Sequence, residues 1–341
     1  MQRIATPATT PSEMKTILHS KRANMYFLQH CRLLVNDGRV EYVTDEGSKS
    51  CYWNIPIANS TSILLGTGTS ITQAAMRELA KAGVLVGFCG GSGTPLFAAT
   101  EVEVDVVWLT SQSEYRPTAY LQHWVSFWFD DHARLQAAKR LQIARLEMIQ
   151  CHWQRLIDDR RMGFSCDRLQ LEAVLNKFTH GIDKAPDTNH LLAQEAVLTK
   201  ALYKLAVGAV AYGEFTRAKK GAGIDLANRF LDHGNYLAYG LGATAAWVIG
   251  LPHGLAVMHG KTRRGGLVFD AADVIKDALV LPQAFISAMA GETEQEFRQR
   301  CVQRFHKANA LDVIIEQLQT IAIDLSKVSA PAIISAEDAL L

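Results

Sequence analysis

The sequence predicts an α+β protein in two parts. A small, mainly β domain occupies residues 1–108, and a larger all-α domain occupies residues 119–341 after a linker at 109–118. Three observations carry this reading. Up to Val107 short apolar runs alternate with turn residues, as strands do. Beyond Thr118 apolar residues recur every three or four positions, as they do along the buried stripe of a helix. A chain of 341 residues also exceeds one typical core, so two domains are expected.

In the N-terminal part the runs CRLLV, RVEYV, TSILL, VLVGF and EVDVVW read as strands. Asn36, Asp37 and Gly38 separate the first two, and Asp-Gly supplies the positive φ angles of a hairpin turn. One helix interrupts the strands over 71–82, with Thr69 or Ser70 as its cap and Gly83 as its stop. Gly66, Gly68 and the cluster Gly90, Gly91 and Gly93 fit neither GxxxxGKS/T nor a GxGxxG opening that helix, so they read as turns. In the C-terminal part Leu121, Trp124, Val125 and Trp128 mark one face of a first helix. Helical text then runs nearly to the end, with breaks near Gly163, Pro186, 221–223, 250–252, 260–266 and Gly291.

Composition narrows the function classes. Basic and acidic residues balance at 35 against 34, so a nucleic-acid role has to rest on local patches. The six cysteines fall in no CxxC pair, which disfavours a zinc site and a disulfide framework and suits a reducing cytoplasm. The opening MQRIATPATTP lacks a signal-peptide core, and no apolar run reaches the roughly 18 residues of a membrane helix, so a soluble cytoplasmic protein is expected. The order Asp-His at Asp131-His132 and Asp232-His233 reverses the pair of HD phosphohydrolases, and GxSxG and HExxH are missing.

Chemistry concentrates in residues 253–281, where His259 precedes a basic, glycine-rich turn with Lys261, Arg263 and Arg264. If 268–281 is one helix, Asp270, Asp273 and Asp277 form an acidic ridge, which a hard divalent cation would neutralise. Glu195 shares the apolar stripe of Leu191, Leu198 and Leu202. An unpaired buried carboxylate is costly, so Glu195 needs either a metal or a basic partner such as Lys200 or Lys204. His259 reads either as a core histidine satisfied by a carbonyl or as a ligand beside a phosphate-binding turn. A second basic group, Arg217, Lys219 and Lys220, reads either as an exposed helix end or as a DNA-backbone contact.

These residues resemble the CRISPR adaptation integrase family, the first CRISPR-associated protein, in its subtype I-F branch. The resemblance rests on Gly250, Pro252, Gly254 and His259, the run LVFDAADVIK, the run from Asn235 to Tyr239, and Glu195 near the start of a helix. The stretches MKTILHSKRAN and YWNIPIANSTSILLGTGTSIT are similar to the I-F branch in particular. The resemblance implies an N-terminal β domain that mediates homodimerisation and a helical domain holding Mg2+ or Mn2+ on Glu195, His259 and Asp273. Asp270 would be a further catalytic residue, and Asp277 is left as a surface residue or an outer support of the site. The implied reaction is integration of short DNA into the CRISPR array by attack of a 3′-hydroxyl. Implied partners are double-stranded and branched DNA, a second copy, and a second adaptation protein fused to the interference helicase-nuclease. A stand-alone nuclease for branched DNA and a non-catalytic DNA-binding scaffold are the competing readings.

Overall fold

A computed structural model describes residues 24–46, 49–88, 107–109, 118–218, 225–260 and 265–329. The chain divides into two compact units, Met1–Tyr115 and Arg116–Leu341. The first contains strands β1 (Asn24–Leu28), β2 (Arg32–Asn36), β3 (Arg39–Glu46), β4 (Lys49–Asn54), β5 (Ser60–Leu65), β6 (Ser70–Ile71), β7 (Leu85–Phe88) and β8 (Val107–Leu109). Helix α1 (Gln73–Lys81) lies between β6 and β7 in the chain.

The strands form two sheets, ordered β1-β5-β7-β8 and β4-β3-β2-β6. β5 is buried at all six positions because it is flanked by parallel partners on both sides, which is why its text is an unbroken STSILL rather than an alternation. The β2–β3 hairpin closes with Asn36 opposite Arg39, and Asp37 and Gly38 both take positive φ (46° and 74°), as the Asp-Gly pair predicts. Leu28, Leu33, Val40, Ile63, Leu65, Leu79, Val84 and Val86 form the core of this unit. The helix cap differs from expectation. Ser70 and Ile71 pair with Arg32 and Leu33 as β6, so the helix starts later, and Thr72 accepts from the Ala75 amide at 3.2 Å. Most of the expected EVDVVW strand, together with Gly90, Gly91 and Gly93, lies outside the described residues.

The second unit is helical: α2 (Ala119–Trp128), α3 (Asp131–Asp158), α4 (Arg168–Lys184), α5 (Thr188–Val210), α6 (Leu226–Val248), α7 (Gly266–Ile275), α8 (Leu281–Met289), α9 (Glu294–Lys307) and α10 (Ala310–Ser329). Asp130, Asp167, Asp187, Asp225 and Thr293 cap five of these by accepting backbone N–H groups that have no partner within the helix. Trp124 and Phe127 are the buried residues of α2, whereas Val125 is exposed, so the buried face turns away from the expected stripe by including Phe127.

Helix α6 runs through the core and is buried along most of its length. Its small residues let α7 come close. A Cβ added at Gly242 would sit 2.7 Å from the Val268 carbonyl oxygen and 3.2 Å from the Ala272 nitrogen, both backbone atoms of α7. The helix expected over 268–281 forms without a break but not as one regular α-helix. α7 ends at Ile275, and Lys276–Val280 make one wide π-helical turn before α8 begins. The acidic ridge is broken as a result. Among the described residues no helix is long and apolar enough to cross a membrane.

The close approach of α6 and α7 gives a test. Gly242→Ala should lower unfolding free energy by about 1–3 kcal/mol in urea titrations, because a backbone neighbour has to move. Gly208→Ala, whose added Cβ meets nothing within 4 Å, is the matched control and should be neutral or slightly stabilising. Equal melting behaviour of the two variants would refute the close-packing account.

Candidate metal centre

Three side chains from separate elements meet in the helical unit. Glu195 lies two turns into α5, His259 lies in the loop between α6 and α7, and Asp273 lies on α7. One ligand atom from each falls within 4.8 Å of the others. His259 Nε2 is 3.9 Å from Glu195 Oε2 and 3.7 Å from Asp273 Oδ2. Asp273 is 1% exposed, while Glu195 and His259 side chains are each 15% exposed, so the group opens to solvent on the Glu195 and His259 side.

The loop that carries His259 is held by several anchors. Gly250 leaves α6 with φ 78°, and the indole N–H groups of Trp124 and Trp128 donate to the carbonyls of Leu255 (3.0 Å) and Ala256 (2.7 Å). The central anchor is Asp270. Its Oδ2 accepts the amides of Val257 (2.7 Å) and Met258 (3.2 Å), and its Oδ1 faces the His259 amide (3.1 Å) and His259 Nδ1 (2.7 Å). A carboxylate that accepts at Nδ1 keeps the proton there, so Nε2 presents its lone pair to Glu195 and Asp273. The imidazole also packs beside Phe269, with ring centroids 5.8 Å apart.

Cations occupy one oxygen of each of the other two carboxylates. Lys276 Nζ donates to Asp273 Oδ1. Arg145, fully buried on α3, places Nη1 3.1 Å from Glu195 Oε1. Its other donors go to Gln142 Oε1 (3.1 Å), Thr199 Oγ1 (3.0 Å) and Asp277 Oδ2, the last by both Nε (3.0 Å) and Nη2. Asp277 is therefore not a surface residue. It is 2% exposed, because the wide turn after α7 directs it at Arg145. The basic partner of Glu195 is likewise Arg145 rather than Lys200 or Lys204.

The electrostatics follow this wiring. Burial opposes ionisation of Asp273, but Lys276, His259 and Arg145 outweigh it and hold its pKa at about 2. Burial would lower the His259 pKa, yet the Asp270 hydrogen bond and the charges of Asp273, Asp270 and Glu195 raise it above its ordinary value. Asp273 Oδ2 is buried with no hydrogen-bond partner among the described residues. A buried anionic oxygen without a partner is costly unless a cation meets it. Two carboxylate oxygens and one imidazole nitrogen suit a divalent ion of the magnesium or manganese type. The residues present fit such an ion.

Not every expected residue joins the site. Arg217 donates to Asn228 Oδ1 (2.8 Å) and Asp232, so its guanidinium braces the segment after α5 instead of standing free for a phosphate. Lys219, Lys220, Lys261, Arg263 and Arg264 lie outside the described residues. Arg145 and Lys276 were missed from the sequence. Arg145 carried a signal, since Ala138, Leu141 and Ile149 place it on an apolar face of α3, where an arginine needs buried partners.

Known proteins resemble this chain over most of its length. A family model described as CRISPR associated protein Cas1 matches residues 25–320. The chain is 66% identical over 323 residues to the CRISPR-associated endonuclease Cas1 of Pectobacterium atrosepticum, covering 94% of this chain and 98% of that one. It is 66% identical over 316 residues to the CRISPR-associated endonuclease Cas1 of Pseudomonas aeruginosa, covering 92% and 97%. A Cas1 protein from Thermotoga maritima shares the fold at 15% identity, with TM-score 0.66 over 88% of this chain and 96% of that one. A casposase bound to an integration product does so at 14% identity, with TM-score 0.65 over 89% and 90%. The family match across both units, with the two relatives matched over nearly their whole length, shows that this chain belongs to the CRISPR associated protein Cas1 family.

Proposed function

We propose that this chain is a divalent-metal-dependent DNA endonuclease and integrase of CRISPR adaptation, of subtype I-F. The observation that carries the reading is the convergence of Glu195, His259 and Asp273 around the partnerless Asp273 Oδ2. Mg2+ or Mn2+ on those three residues would polarise a phosphodiester and offset the charge that builds as a 3′-hydroxyl, or water, displaces the leaving oxygen. The protein's part is to present one oxygen each from Glu195 and Asp273 together with His259 Nε2. Asp270 keeps the His259 proton at Nδ1 and the ring in place. Lys276 and Arg145 prevent the paired carboxylates from repelling one another.

That the Pectobacterium and Pseudomonas relatives are named endonucleases supports the nuclease half of the proposal. The integration half draws on the fold shared with a casposase bound to an integration product. Lys219, Lys220, Lys261, Arg263 and Arg264 are proposed to hold backbone phosphates of double-stranded and branched DNA, with Arg217 bracing the first of these basic segments. Binding by such contacts is salt-sensitive and reads little sequence. The proposal includes homodimerisation through the β domain, residues 1–108, and a partner in the second adaptation protein fused to the interference helicase-nuclease. Solved complexes of similar fold contain Cas1 together with Cas2. A cytoplasmic location follows from the same reading.

Glu195→Gln and Asp273→Asn should each abolish Mn2+-dependent cleavage of branched DNA and joining to a leader-repeat substrate while the protein stays folded. The loss should exceed the roughly 10- to 100-fold typical of removing an outer partner. Full activity in either folded variant would overturn the catalytic assignment of these residues, and DNA binding with neither cleavage nor joining by the wild-type chain and its partners would establish the scaffold reading. Cleavage by the wild-type chain with its partners, but never joining, would establish the nuclease reading.

Asp270→Asn turns an amide donor toward three backbone donors and should weaken Mn2+ binding by about 10- to 100-fold, measured by the paramagnetic resonance signal of free Mn2+. Protons compete for His259 Nε2, and its pKa is raised. Mn2+ affinity should therefore fall as pH is lowered, and the fall should begin above pH 6.5, the ordinary histidine value. A binding midpoint at or below that pH would contradict the Asp270 account.

A further inference from the structure

Arg145 meets four side chains, those of Gln142, Glu195, Thr199 and Asp277, and nothing in the reaction proposed above requires it to touch DNA. Its side chain is 0% exposed. It joins four segments: its own α3 through Gln142, α5 through Glu195 and Thr199, the wide turn through Asp277, and the His259 loop through the Gln142 amide, which lies 3.6 Å from Met258 Sδ. The guanidinium is planar, so once Asp277 has taken Nε and Nη2, the direction of Nη1 is set. Nη1 is the nitrogen that meets Glu195 Oε1.

We propose that Arg145, oriented by Asp277, is the positioning residue that makes Glu195 a one-oxygen ligand. Resting on the metal-site reading above, the proposal is that Arg145 engages Oε1 and leaves Oε2, the oxygen nearer His259, for the ion. Lys276 does the equivalent at Asp273, where Oδ1 is engaged and Oδ2 is left over. An ion held by one oxygen from each carboxylate and one nitrogen from His259 would keep its remaining coordination positions for water and phosphate oxygens. A carboxylate free to bind through both oxygens would take one of those positions.

The wide turn is part of the device. Asp277 reaches Arg145 from the turn Lys276–Val280, and its own carbonyl accepts the Trp153 indole N–H at 3.0 Å, which fixes that turn to α3. The Arg145–Asp277 pair is neutral as a whole. Removing both partners together leaves the net charge of the site unchanged while it takes away the guanidinium that engages Glu195 Oε1 and the carboxylate that orients it.

The test is Mn2+ affinity of the purified full chain, read from the resonance signal of free Mn2+, with circular dichroism and thermal melting as controls of the fold. The Arg145→Met/Asp277→Leu double variant should melt near the wild type, since a buried ion pair replaced by apolar groups of similar size is tolerated. Its Mn2+ affinity should fall by about 10- to 100-fold, the range for partners that orient ligands. Arg145→Lys, which keeps the charge but cannot hold Asp277 and Glu195 at once, should show the same loss and serves if the double variant does not fold. In a Glu195→Gln background neither change should lower affinity further, because Arg145 acts through Glu195. A folded double variant or Arg145→Lys with affinity within twofold of wild type would overturn the proposal, as would losses that simply add to that of Glu195→Gln. If Glu195→Gln alone leaves Mn2+ affinity unchanged, the metal-site reading itself fails; if it lowers affinity while the Arg145 variants do not, only the positioning role fails.

Discussion

The site depends on one buried carboxylate whose two oxygens are both taken up by the loop that carries His259. Asp270 accepts the amides of Val257, Met258 and His259 and faces His259 Nδ1. A loop has no ladder of its own to satisfy its amides, so a buried loop is stable only when something else takes them. Asp270 supplies that acceptor from the rigid face of α7, and Trp124 and Trp128 supply donors to the loop's carbonyls from α2. The loop's shape, the tautomer of His259 and the distance from Nε2 to Asp273 therefore follow from a single turn of helix. Asp273 lies on that same turn, one helical step on from Asp270.

Charge balance is the second constraint. Four carboxylates are gathered by three basic side chains: Glu195 and Asp277 by Arg145, Asp273 by Lys276, and Asp270 by His259. Lys276 is a compact charge on Asp273, and its own pKa is driven up, since Asp273, Tyr239 and Asp277 outweigh a burial that would lower it. Arg145 is a fork that serves two carboxylates at once. The two residue types are not interchangeable here, because a point charge suffices for one oxygen, whereas a planar group is needed to connect two partners at a set angle. What is left without a partner, Asp273 Oδ2, faces the gap between the three candidate ligands.

Much of the architecture was legible because local chemistry and tertiary packing agree. The Asp37-Gly38 hairpin, the apolar run Ile63–Leu65 of β5 and the glycine and proline breaks between helices all state their conformation locally. Thr72 took the cap from Thr69 or Ser70 because strand pairing at Ser70 and Ile71, a long-range effect, came first. At the site, spacing singles out His259, Asp270, Asp273 and Asp277 together and leaves Glu195 open, and it is the resemblance to a family that narrows the ligands to Glu195, His259 and Asp273 with Asp270 beside them. Spacing alone left Glu195 beside Lys200 or Lys204 and made Asp277 a third member of a ridge. Both readings failed for one reason: the partner is Arg145, about fifty residues before Glu195 in the chain, and no periodicity links α3 to α5.

The π-helical turn has a consequence for the chain beyond it. An α-helix advances about 100° per residue, so an added residue in one turn resets the phase of everything downstream. Residues 281–285 are buried at every position, so the start of α8 meets the core on all sides. Losing a single residue between 276 and 280 would turn α8 by about 100° relative to α7. Each of those five side chains would then face a neighbour packed for another, so a substitution in this turn is a matter of side-chain chemistry, whereas a one-residue deletion is a matter of fit along the helix that follows.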